Sequence, residues 1–140
     1  MPLSQFTLLL KECGDAVGIH DLAPDDHGFA SLLIDDALTI DLEYNEEDDL
    51  MVLSSVLGTI PIDQIVTLYP EFLEANLFWN GTGGGTLGVD PTTHTLFLCY
   101  RENLGMMDLQ RFQQLLQGFG DASLYWSRRI TSNVTEAERN

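Results

Sequence analysis

The stretch Thr82-Gly83-Gly84-Gly85-Thr86-Leu87-Gly88-Val89-Asp90-Pro91 decides how this chain is read. Its glycines at 83, 85 and 88 have the spacing of a dinucleotide-binding turn. That turn needs a strand running into it and a helix leaving it, so that the helix N-terminus faces the pyrophosphate. Here the order is reversed: a helical pattern precedes the block and a strand pattern follows it. No Lys or Arg stands nearby in sequence to meet a phosphate. The block therefore reads as a structural turn. Gly83, Gly84, Gly85 and Gly88 permit close backbone approach, and Asp90-Pro91 opens the next turn.

Working outward, Thr86–Val89 and Thr95–Arg101 predict a hairpin across the turn Asp90–His94. Upstream, Pro61 opens a helical stretch to about Trp79, with Ile62, Ile65, Val66, Tyr69, Phe72, Leu73, Asn76 and Leu77 on one face. Pro70 lacks a backbone donor, so a kink or break is expected there. Three strands come before it. Phe29–Ile34 is a continuous apolar run, closed by a tight turn at Asp35-Asp36. Leu38, Ile40, Leu42 and Tyr44 alternate with polar residues, and Leu50–Leu57 is closed by Gly58. Such short links make an antiparallel meander.

The two ends are helical. Leu3, Phe6, Leu10, Cys13 and Val17 step by three and four, with Gly18 as a stop. Asp108 is the expected N-cap of the last helix, whose apolar face is Leu109, Phe112, Leu116, Phe119, Ala122, Tyr125 and Trp126. Gly118 and Gly120 weaken its middle. From Thr131 onward the chain is polar and reads as a loose tail. The expectation is one α+β domain over 1–130 and a flexible tail over 131–140. Its order is α-β-β-β-α-β-β-α, with a twisted antiparallel sheet flanked by three helices.

Charge narrows the function. The chain has 140 residues, 22 Asp+Glu and 6 Lys+Arg, for a formal net charge of −16. Between Lys11 and Arg101 there is no Lys or Arg, and that span holds 17 of the 22 acids. Nucleic acid and anionic membranes need cations facing phosphates, so neither is an expected partner. The start lacks a basic segment and a long apolar run, so no signal peptide is read. No segment is apolar enough to insert in a membrane. Cys13 and Cys99 fit no metal or redox spacing and read as buried thiols. These features point to the cytoplasm.

Catalytic candidates are weak. Asp41, Glu43, Asn45, Glu46 and Glu47 alternate oxygens but lack the glycine and terminal Glu of a calcium loop. Asp25, Asp26 and His27 read as a surface turn. His20, His27 and His94 fall in turns or element ends, and no nucleophile–base set assembles around them. An enzyme is not expected, and no cofactor or metal is assigned.

Three segments then carry a resemblance: Leu57-Gly58-Thr59-Ile60-Pro61, Glu74-Ala75-Asn76-Leu77-Phe78 and the block from Thr82 to Pro91. Together they resemble the type III secretion chaperones of the Tir chaperone (CesT-like) family, over about residues 3 to 130. The resemblance implies an acidic, cytoplasmic bacterial homodimer without cofactor. It implies a chaperone that holds the N-terminal extended segment of one or more secreted effectors and keeps it soluble. It also implies delivery to the secretion-system ATPase or sorting components. A regulatory module that sequesters another protein is the alternative, and a small nucleotide- or metal-binding enzyme a more remote one. For cargo binding, the candidates are Phe6, Leu9, Leu10 and Cys13 on the first helix and Phe29, Leu32, Leu33 and Ile34 on the first strand. About half of these must face the core, and the pattern does not sort them. For the dimer interface, the candidates are Phe72, Leu73, Asn76, Leu77 and Trp79.

Overall fold

The computed structural model describes residues 2–19 and 21–139, with side chains described over 3–19 and 21–131. His20 lies outside the described residues. The elements run α1 (Pro2–Ala16), β1 (Phe29–Ile34), β2 (Leu38–Asn45), β3 (Leu50–Thr59), α2 (Ile65–Asn76), β4 (Thr86–Asp90), β5 (Thr95–Asn103) and α3 (Leu109–Arg139). Short 3-10 turns flank α2 at Ile62–Gln64 and Leu77–Trp79, and another, Leu104–Met106, precedes α3. The expected α-β-β-β-α-β-β-α order holds.

One antiparallel sheet has the strand order β1-β2-β3-β5-β4. The β1–β2 link turns on Asp35 and Asp36, both at positive φ, with Ala37 N–H bonded to the Ile34 carbonyl at 3.0 Å. These φ values suit the right-handed twist of a hairpin, here with a three-residue link closed by the Ile34–Leu38 pair, and a short Asp side chain tolerates them. The β3–β5 register slips between Val56 and Gly58. Gly58, at φ +136°, forms that bulge and carries β3 on to Thr59, beyond the end expected from sequence.

All three helices pack on one face of the sheet. Phe6 of α1 stacks on Tyr44 of β2 with ring centroids 5.4 Å apart. Phe72 of α2 meets Trp126 of α3 edge-on at 5.6 Å. Phe6, Leu10, Ile40, Leu42, Met51, Leu53, Leu68, Leu96, Leu98, Phe112 and Phe119 are buried in this layer. Asp108 caps α3 as expected, its carboxylate accepting the Arg111 N–H at 2.8 Å.

Two helices run further than the sequence suggests. α2 is one continuous helix across Pro70. Pro70 is exposed, as is Val66 one turn before it, so the helical bond that proline cannot donate falls on the solvent side. α3 also continues to Arg139 instead of ending near Thr131.

Candidate functional site

The opposite face of the sheet carries no helix. Antiparallel pairing sets its side chains in rows. One row is Phe29, Glu43, Val52 and Arg101. The next is Ser31, Asp41, Ser54, Cys99 and Thr86. In the third, Leu33 pairs with Thr39, and Val56 with Phe97 beside Gly88. Leu33 is 58% exposed, Val56 50% and Phe29 40%, while Val52 and Phe97 are half-buried. The face therefore carries apolar side chains on the edge strand β1 and on β3 and β5, with the acids Asp41 and Glu43 on β2 between them, where Ser31 Oγ donates to Asp41 at 2.7 Å.

The sequence-based cargo set divides along this geometry. Phe29 and Leu33 lie on the open face. Leu32 and Ile34 are half-buried on the helix side. Phe6, Leu9, Leu10 and Cys13 are core residues, so the expectation that they form open pockets is corrected. Their stripe is the side of α1 that packs on the sheet, and a helix has only one such side. Burial also pushes the Cys13 thiol pKa up. Cys99, read as buried, is exposed on the open face.

Residues missed in the sequence complete the surface: Val52, Val56 and Phe97. Their signal was present. Leu32–Ile34, Leu50–Leu53 and Leu96–Tyr100 put apolar residues at consecutive positions, and a one-sided antiparallel sheet should alternate. An unbroken run marks a strand whose second face is also apolar.

A second apolar surface lies along α2. Ile62, Val66, Leu73 and Leu77 follow helical spacing and are all exposed, Val66 at 87%. Phe78 and Trp79 follow it, both exposed and both at positive φ, with Trp79 beside Val52, Thr86 and Cys99 of the open sheet face. Of the expected dimer residues, Leu73 and Leu77 belong to it, while Trp79 borders the open sheet face. Phe72 does not, being buried against Trp126. Asn76 has its carboxamide committed within the chain: Nδ2 donates to the Leu87 carbonyl at 3.1 Å, and Oδ1 accepts the Leu87 N–H at 2.8 Å.

The glycine block is a structural turn, wedged between α2, α3 and β5. Trp126 Nε1 donates to the Gly81 carbonyl at 2.8 Å, and Gly81 N–H bonds Ala75 O at 3.0 Å. Gly83 has φ +61°, and a Cβ there would overlap the Gly118 carbonyl oxygen. A Cβ on Gly85 would stand 3.0 Å from the Cys99 carbonyl. Gly84 is at positive φ, while Gly88 lies open on the outer face. Asp90 takes the Thr92 N–H at 2.9 Å in the turn that Pro91 enters.

Two of the acids, Asp25 and Asp49, anchor turns. Asp25 accepts N–H groups from Phe29 and His27, which hold its carboxyl below the usual range. Asp49 accepts the Tyr44 hydroxyl at 2.7 Å and the Gly105 N–H at 3.1 Å. Burial, then the Asp49 bond, push the Tyr44 pKa up to about 12. Among the described residues no cluster of His, Cys, Asp and Glu is arranged to hold a metal. No described helix is long and apolar enough to cross a membrane.

Helices close one face of the sheet, and the other stays open with exposed apolar side chains beside acidic ones. Residues 8–127 match the model of the Tir chaperone protein (CesT) family. The chain belongs to that family of chaperone proteins. Solved structures with this fold include the ExsC–ExsE complex (TM-score 0.74, 23% identity, covering 91% of this chain and 95% of that one). The HopA1–SchA chaperone–effector complex is similar too (TM-score 0.67, 19% identity, covering 90% and 92%). So is the Yersinia pestis type III secretion chaperone SycH in complex with a YscM2 fragment (TM-score 0.68, 19% identity, covering 86% and 98%). No curated protein matches the chain by sequence.

Proposed function

We propose that this chaperone holds the N-terminal, non-globular segment of a secreted effector in extended form across the outer face of its sheet. It keeps that segment soluble in the bacterial cytoplasm and presents it to the secretion ATPase or sorting components. The observation that carries this reading is the open face bearing Phe29, Leu33, Val56 and Phe97. Apolar side chains of this size gather on a free surface at a cost in solubility, and such a patch marks a binding site. Extended cargo would gain both side-chain burial there and backbone pairing at a sheet edge. The chain acts by binding rather than catalysis, which its family membership supports.

The α2 stripe supports a homodimer. Ile62, Val66, Leu73 and Leu77 line one side of a short helix, and a two-fold axis would set that side against itself. Replacing Leu73 and Leu77 together by Asp should give a folded monomer by sedimentation. A parent chain that is monomeric at micromolar concentration contradicts the dimer.

The cargo surface is tested by Leu33→Glu and Val56→Glu. Both sites are exposed, so the variants should unfold at nearly the parental temperature yet fail to retain effector in affinity capture. Undiminished capture would place the cargo elsewhere.

A further inference from the structure

A sheet of this order has two edges, β1 and β4, and each presents outward N–H and C=O groups to any extended chain. The two edges are not equally available. Along β4, outward positions alternate. Leu87 is one, and both its backbone groups are taken by the Asn76 carboxamide. Gly85 precedes it by one period, and Thr82 takes both of its groups. Gly85 N–H donates to the Thr82 carbonyl at 3.1 Å, and Thr82 Oγ1 donates to the Gly85 carbonyl at 2.5 Å. Thr82 is fully buried. Val89, the remaining outward position, is too little for a ladder.

Along β1, Phe29 turns outward, and Asp25 occupies it. Phe29 N–H donates to Asp25 Oδ1 at 3.0 Å, and Asp25 N–H donates to the Phe29 carbonyl at 2.8 Å. Gly28, one residue earlier, faces β2 instead, its carbonyl accepting the Tyr44 N–H. The alternation then turns Ser31 and Leu33 outward. Beyond them lies the Asp35-Asp36 turn.

We propose that Asn76 and Thr82 are edge-selecting residues. They close β4 against strand addition and leave Ser31 and Leu33 of β1 as the pairing site for an extended segment of the bound polypeptide, with Asp25 fixing where that ladder ends. The proposal deepens the function given above and rests on its edge-pairing element. The occupant is an extended segment because the groups on offer are backbone donors and acceptors at strand spacing. Its register is short, with Leu33 placing an exposed side chain on the same face as the other apolar side chains.

The test is residue-resolved amide exchange on the full chain, with and without a synthetic peptide of alternating valine and threonine bearing a lysine at each end. In the free chain, Gly85 and Leu87 amides should exchange slowly and Ser31 and Leu33 fast. The peptide should slow Ser31 and Leu33 by at least about tenfold and leave Val89 unchanged. In Asn76→Ala, the peptide should also slow Leu87 and Val89. Should that variant not fold, Asn76→Asp, which keeps the acceptor but loses the donor, replaces it. Protection at β4 in the parent chain, or unchanged exchange at Ser31 and Leu33, overturns the proposal. So does a folded Asn76 variant whose β4 stays closed to the peptide. Because the probe is synthetic, these outcomes stand apart from whether a natural effector is captured.

Discussion

Gly83 and Gly118 touch each other, yet they owe their identities to different causes. Gly83 has a positive φ and no room for a Cβ against the Gly118 carbonyl. Gly118 lies in α3, and a Cβ there would meet the Gly83 carbonyl at 3.7 Å, an ordinary contact. Gly83→Ala should therefore cost at least about 1–3 kcal/mol of stability. Gly118→Ala should add about 0.5–1 kcal/mol through helix propensity. Urea denaturation of both variants checks this, and equal effects would contradict the packing described. The sequence gives away that the loop must turn tightly, but not that α3 lies against it. Tyr44 supplies a second prediction at this scale. Its folded pKa of about 12 lies above the ordinary value of 10.0, because the buried hydroxyl donates to Asp49. The neutral form is favoured by folding, so this contribution is fully present below pH 10 and is lost as pH rises through about 12. Phenolate absorbance should show one of the four tyrosines titrating last, and Tyr44→Phe should remove that step.

The elements divide into those whose periodicity shows in the sequence and those whose orientation does not. α1 was legible as a helix from Leu3, Phe6, Leu10 and Cys13, because three-and-four spacing has one physical meaning. Whether that stripe met cargo or core was not legible, since both need apolar side chains. The structure places Leu10 with no exposure. Leu10→Glu should thus unfold the domain, and even Leu10→Ala should cost about 2–5 kcal/mol. A folded Leu10→Glu chain by circular dichroism would return α1 to the cargo surface. α2 shows the converse. Pro70 predicted a kink or a break; the helix is unbroken, since an exposed proline loses one bond on the solvent side and packing of Leu68 and Phe72 holds the helix together. Asn76 looked like part of an apolar interface from its place on the helical face. Its partner Leu87 lies eleven residues away, across the glycine block. Such a bond leaves no periodic trace.

At the scale of the molecule, three features act together. Helices cover one face of the sheet, so burial on that side supplies the stability of the fold. The other face keeps apolar side chains on both sides of Asp41 and Glu43, so binding can bury them. A net charge of −16 keeps such a surface in solution and speeds encounter with basic segments, an effect that salt screens. The cation-free stretch between Lys11 and Arg101 excluded polyanions from sequence alone. Only the folded sheet shows where the acids stand relative to the apolar surface. The most direct measurement captures the natural complex on the tagged chaperone, digests it with protease under native conditions and identifies the retained partner fragment by mass. The account predicts a fragment from the N-terminal, non-globular part of a secreted effector, absent when the bait is Leu33→Glu. A retained fragment that is itself a folded domain, or one held equally well by Leu33→Glu, would contradict it.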